Sequence, residues 1–167
     1  MSVLNKLLEQ RAYTDAHTGL PNKDACEVLL NNKETVAKHT ACMMFDLNNL
    51  KIINDTKGHS KGDQLILNFA RLLRNVIPQK DFVGRYGGDE FMVVIYNTSK
   101  TEIEDILKQL SREKDRLNSS GNNMPIDYAC GWAISDADSE CTIQMLLDKA
   151  DYYMYENKQA YKKFKKS

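Results

Sequence analysis

The run Thr40-Ala41-Cys42-Met43-Met44-Phe45-Asp46-Leu47 is almost unbrokenly apolar and closes on a carboxylate. A short run without polar alternation reads as a strand covered on both faces, which demands a sheet with helices packed against it. Two further apolar runs, Phe82–Tyr86 and Phe91–Tyr96, flank Gly87-Gly88-Asp89-Glu90 and read as a β-hairpin. Ile126–Ile134 reads as another strand. Helical spacing predicts a short leading helix over 2–12, carried by Val3, Leu4, Leu7 and Leu8, and a second helix over 23–37. Asn48–His59 is a polar segment, and Ser60-Lys61-Gly62-Asp63 fits a capping box with Asp in place of the usual Glu. The helix behind it carries Leu65, Ile66, Phe69, Leu72, Leu73 and Val76, and Pro78 ends it. A polar amphipathic helix fits 101–117, a loop 118–123, and a last helix with a Lys-rich end 142–160. This alternation predicts an α/β (α+β) domain: a central mixed sheet of about five strands surrounded by helices.

Composition narrows the function classes. A chain of 167 residues makes one compact domain, and it buries enough surface to fold without disulfides or metal. Lys plus Arg and Asp plus Glu both count 23, which argues against a general nucleic-acid binder. No run reaches the roughly 18 apolar residues that span a bilayer, and Met1–Gln10 has no signal-peptide core. Cys26, Cys42, Cys130 and Cys141 form no CxxC pair, and His17, His39 and His59 are scattered, so a zinc site is not expected. Reduced structural thiols in a cytoplasmic protein are the plain expectation.

The carboxylates carry the chemistry. If the strand ending in Asp46 neighbours the hairpin, Asp46, Asp89 and Glu90 converge at one sheet edge. Three clustered carboxylates repel unless a cation neutralises them, and a hard divalent ion such as Mg²⁺ suits oxygen ligands and usually arrives with a nucleotide phosphate. The same Gly-Gly-Asp-Glu also suits a plain hairpin turn. There is no P-loop and no nucleophile elbow. Phosphate donors would be Lys51, close to the strand end, and Lys158 and Lys162, four apart on one helix face. Lysines at a helix C-terminus are equally at home as solvated surface. Asn54 and Asp63 could read a guanine edge, a carboxylate accepting from its two donors and an amide meeting its acceptor. Asp63 also suits the first turn of a helix, and the two roles are compatible.

Gly87-Gly88-Asp89-Glu90-Phe91 is the pentapeptide that gives the GGDEF family, the diguanylate cyclases, its name. Phe45–Asp55 resembles the family's metal-and-base segment, and Lys57–Asp63 continues it in register. Asp15–Asn22 resembles the opening of the domain, and Ala150-Asp151, Tyr155 and Lys158 its closing helix. The resemblance runs from about residue 13 to 163 and divides the chain into a leading linker helix, 1–12, and a GGDEF domain, 13–167. It implies a five-stranded palm resembling polymerases and class III nucleotidyl cyclases, with a ferredoxin-like core. It implies condensation of two GTP into cyclic di-GMP and two pyrophosphates, in a site formed between two subunits of a transient homodimer. Carried over residue by residue, Asp46, the Leu47 carbonyl, Asp89 and Glu90 would hold Mg²⁺ (or Mn²⁺). Asp89 would accept the 3′-hydroxyl proton and Lys51 would stabilise phosphate charge. Asn54 and Asp63 would hold guanine, Asn49 and Leu50 would lie against the substrate, and Lys158 and Lys162 would hold the phosphate tail.

The chain departs from the family pattern in three places. Asn48 replaces an acidic residue, outside the metal positions. Tyr161-Lys162 replaces Gly-Arg, keeping the charge without the bidentate fork. Pro78-Gln79-Lys80-Asp81 lacks the arginine of the inhibitory product site, so little feedback inhibition is expected. The competing readings are a catalytically silent module that binds GTP or a protein partner, and a phospho-acceptor receiver domain using Asp46, which leaves the hairpin acids without a role. An upstream sensory domain, absent from this chain, is the expected regulator.

Overall fold

The structure, a computed structural model, describes residues 2–121, 124–136 and 140–166. Met1, Ser167, residues 137–139 and the 122–123 part of the expected 118–123 loop lie outside the described residues. The elements are α1 (Val3–Tyr13), α2 (Lys23–Asn31), β1 (Ala41–Leu47), α3 (Leu50–Lys57), α4 (His59–Val76), β2 (Phe82–Arg85), β3 (Glu90–Ile95), α5 (Lys100–Ser119), β4 (Tyr128–Ile134) and α6 (Ile143–Lys166).

The strands form one sheet in the order β2-β3-β1-β4. The expectation of five strands is corrected to four among the described residues, and the sheet is not mixed, since every hydrogen-bonded pair is antiparallel. The reason is topological. β1 and β2 run parallel, but β3 slots between them, so the crossover through α3 and α4 produces no parallel ladder. This is the split β-α-β of a ferredoxin-like core.

β1 is buried on both faces, as its composition demands. Met43 and Phe45 pack on one side with Phe91, Val93 and the α4 residues Leu65, Phe69 and Leu73. The Phe69 ring meets Phe45 and Phe91 edge-on, at 6.0 and 5.0 Å between centroids. Cys42 and Met44 pack on the other side with Met92, Val94, Cys26 of α2 and Leu146, Leu147, Ala150 and Met154 of α6. All four cysteines are free thiols, and burial pushes Cys26 and Cys42 up to about 12.

Three local expectations change. α2 stops at Asn31 rather than 37, because Asn32 turns extended and its Oδ1 accepts from Glu34 N, an Asx turn that competes with the helix. The polar segment after β1 contains a helix, α3. The capping box is not formed: Gly58, at φ +91°, ends α3 and starts α4 at once, which places Ser60 inside the helix, and α4 has no side-chain cap. α1 begins with Ser2 accepting from Asn5 N and buries none of its residues.

Candidate active site

The register of β1 and β3 sets Asp46 directly opposite Glu90, on the face of Met44 and Met92 that α6 covers. Asp89, one residue before β3, is tied in through its carbonyl, which accepts from Leu47 N at 2.8 Å. The hairpin link is held from both sides. Tyr86 and Gly87 N–H groups both donate to the Glu90 carbonyl, at 2.8 and 3.1 Å. Arg85 donates to the Gly88 carbonyl at 2.9 Å and pairs with Asp15 at 3.2 Å. Burial raises Asp15, but hydrogen bonds from Thr18 and Arg85 outweigh it and hold the carboxyl below the ordinary aspartate range. The Asp15-to-Arg85 clamp is a feature that the sequence reading missed; its signal was the acid in the opening segment and the arginine before the two glycines.

The carboxylates act on one another. Burial, and then the Asp46 charge, push both Asp89 and Glu90 above their ordinary values. Asp46 has an exposure of 14%; its Oδ2 accepts a hydrogen bond from Lys158 Nζ at 2.5 Å, while its buried Oδ1 has no partner. Lys158 reaches it because α6 lies directly on β4. A Cβ on Gly131 would stand 2.1 Å from the Ala150 carbonyl oxygen and 2.2 Å from Met154 N, so only glycine permits this approach. One helical turn beyond Met154 comes Lys158.

A cleft of about 590 Å³ opens beside these acids, lined by Leu47, Asn49, Leu50, Lys51, Asp89, Lys158 and Lys162 among others. Asn49 at φ +67° turns the chain from β1 into α3 and leaves the first amides of that helix without a side-chain cap. Uncapped N–H groups at a positive helix end form an anion site. Tyr161, noted in the sequence only as a departure from the family pattern, lines the same cleft, as do Lys165 and Lys166, which were not singled out although the Lys-rich end of the last helix was the available signal.

Asn54 and Asp63 lie elsewhere, outside that lining. Asn54 packs on α4 beside Gly62, the residue before Asp63: a Cβ on Gly62 would fall 1.8 Å from Asn54 Oδ1, so the amide occupies the space that Gly62 leaves. Asp63 is exposed, and its carbonyl accepts from His17 Nε2 at 2.7 Å. α3 thus has Asp89, Lys51, Lys158 and Lys162 around its N-terminal end, while Asn54, on its last turns, lies against α4 at Gly62.

The oxygen donors fit a hard divalent cation. The buried Asp46 Oδ1 has no partner, and Asp89 and Glu90 are raised by burial and by the Asp46 charge, so a cation beside these oxygens would be favoured. Among the described residues, however, no three acidic, His or Cys side chains stand ready as a metal cage. At the opposite end of the sheet, Asp81 is buried, with Oδ1 accepting from Tyr96 N at 3.0 Å. Arg74 donates to the carbonyls of Ile77 and Pro78 at 3.1 and 2.7 Å, which closes this loop on itself.

With this geometry in view, the comparisons decide the family. The sequence profile described as diguanylate cyclase, GGDEF domain, matches residues 12–163. The chain belongs to the GGDEF-domain family. It is 30% identical over 92% of its length to diguanylate cyclase DgcP of Escherichia coli (strain K12), covering 47% of that protein. It is 31% identical over 89% of its length to cyclic di-GMP phosphodiesterase PdeB of Shewanella oneidensis, covering 18%. The chain therefore spans less than half the length of these curated relatives. Among solved structures, it resembles one of a microbial GGDEF domain and bis-(3′,5′)-cyclic di-GMP, with TM-score 0.76 and 26% identity over 92% of this chain and 94% of that one. Among the described residues no helix is long and apolar enough to cross a membrane.

Proposed function

We propose that residues 13–167 form a diguanylate cyclase domain that condenses two GTP into cyclic di-GMP and two pyrophosphates, with residues 1–12 as its leading linker. The observation that carries the reading is the Asp46–Glu90 register, with Asp89 beside it and an uncapped helix end facing the same cleft. Guanosine lies along α3 in this reading. Asn54 and Asp63 hold the base, and Asp63 selects guanine because a carboxylate accepts from both of its edge donors. The amides of Asn49, Leu50 and Lys51 cradle phosphate oxygens, and the Lys51, Lys158 and Lys162 ammoniums balance the triphosphate charge.

Asp46, Asp89, the Leu47 carbonyl and Glu90 are the residues that would hold Mg²⁺ or Mn²⁺. Such an ion, when bound, lowers the repulsion met by an attacking hydroxyl and polarises the phosphoryl oxygens. Asp89 would take the 3′-hydroxyl proton, a role supported by its carboxyl being raised by burial and by Asp46, which makes it a better base than an ordinary aspartate. A single subunit presents one hydroxyl and one α-phosphate that cannot meet in line, so a transient homodimer completes the site. The buried Asp81, without an arginine at Pro78, supports little feedback by the product. A cytoplasmic setting under an upstream sensory domain completes the proposal.

Purified protein incubated with GTP and Mg²⁺ tests it by nucleotide chromatography. Cyclic di-GMP, lost in Asp89→Ala, is the expected result. GTP binding with no product at high protein concentration would instead favour a catalytically silent module, a reading supported by the domain's presence in a relative named as a phosphodiesterase.

A further inference from the structure

We propose that Lys158 is an exchangeable counter-ion: it holds Asp46 while the cleft is empty and passes to a nucleotide phosphate when one enters, so that a divalent cation binds this chain only together with the nucleotide. The proposal rests on the cyclase reading of the cleft and assigns Lys158 a positioning role beyond phosphate contact.

The ammonium stands between two acceptors. On one side its Nζ donates to Asp46 Oδ2 at 2.5 Å. On the other, Lys158 lines the cleft with Lys51, Lys162 and the first amides of α3. An ammonium on Oδ2 and a divalent ion on the same carboxylate repel at close range in a partly buried setting, so the two occupants exclude each other. The remaining groups do not offer the ion an alternative. Oδ1 is alone, Asp89 and Glu90 sit beside Asp46, and no three-ligand cage exists among the described residues. A triphosphate changes the balance. It supplies further oxygen ligands for the ion and a better-charged partner for the ammonium. The four-carbon stem of lysine, with an exposure of 31% here, allows the swing. The backbone need not move, because Gly131 fixes α6 on β4 through backbone contact.

The test uses Mn²⁺ as the probe, followed by electron spin resonance on the intact chain, alone and with guanosine 5′-(α,β-methylene)triphosphate. Wild type is expected to bind Mn²⁺ at least tenfold more tightly with the analogue than without it. Lys158→Met, and independently Lys158→Gln, should bind Mn²⁺ at least tenfold more tightly than wild type in the absence of nucleotide, which narrows the difference. Asp46→Asn should lose Mn²⁺ in both states. Equal or weaker Mn²⁺ binding by both Lys158 variants overturns the inference while leaving the cyclase reading intact, provided the analogue binds wild type. Failure of the analogue to bind wild type at millimolar concentration overturns both, since the exchange then has no second acceptor.

Discussion

Asp89 and Glu90 are two acids that hold their protons more tightly in the folded chain than in the unfolded one. Burial acts first and the Asp46 charge second, and both raise them. A carboxyl whose folded value is raised binds more protons folded than unfolded, so it detracts from stability as the pH climbs through that value and costs nothing well below it. Without metal, Asp89→Asn should therefore melt at or above the wild-type temperature at pH 7.5. The difference should shrink as pH falls through the carboxylate range, and the variant should make no cyclic di-GMP. Melting curves in EDTA across that range check it; a variant clearly less stable at pH 7.5 would mean that the ionised carboxylate is held favourably. The three acids were legible in the sequence because a strand end and a hairpin turn bring their residues to one edge. The partner of Asp46 was not: Lys158 lies 112 positions away, and a lysine on a terminal helix carries no local mark of what it will meet.

Between elements, glycines decide what touches what, and each gives a separate test. Gly131 faces helix backbone, at 2.1 and 2.2 Å from a virtual Cβ, and backbone cannot step aside. Gly131→Val should lift α6 from β4, lower stability by about 1–3 kcal/mol in denaturant titration, and cut turnover because Lys158 and Lys162 ride on that helix. Stability equal to wild type would show that the contact is not essential. Gly62 faces the ends of two side chains, Asn54 and, at 3.2 Å from a virtual Cβ, Leu50, and both can move. Alanine there gains about 1 kcal/mol of helix propensity, so Gly62→Ala should melt no lower than wild type. It should raise KM for GTP roughly tenfold, the cost of a displaced hydrogen-bonding amide. An unchanged KM would remove Asn54 from the base site. The strands were readable at this scale because their apolar runs are short and bounded. α3 was hidden in a polar segment whose helix depends on a left-handed Asn49, and the capping box was misread because Gly58 at φ +91° takes the N-cap position two residues before Ser60. The count of five strands failed because nothing in the alternation of elements says how many strands a sheet has room for.

At the scale of the molecule, the proposed cyclase reading makes each chain a half-site. In that reading one chain brings one guanosine, held by Asn54 and Asp63, and one cleft at the N-terminus of α3, whereas cyclic di-GMP needs two guanosines joined head to tail. Assembly would then be a kinetic step, and α1 offers a surface that could promote it. None of its residues is buried, and Val3, Leu4, Leu7 and Leu8 are exposed by 76, 65, 53 and 56% along its length. An apolar stripe at positions 3, 4, 7 and 8 has the spacing of a helix seam. For a pair that forms only transiently, specific activity should rise in proportion to protein concentration while the dimer is the minor species. Fusing a parallel dimeric coiled coil in register ahead of Ser2 should supply an effective local concentration in the millimolar range. Turnover at nanomolar protein should then rise by at least tenfold, and its concentration dependence should vanish. Initial rates by chromatography over a hundredfold range of protein, paired with sedimentation, make the measurement. Specific activity that stays flat across the range for a chain sedimenting as a monomer would mean that one chain completes the reaction alone, and the two-subunit site would have to be abandoned.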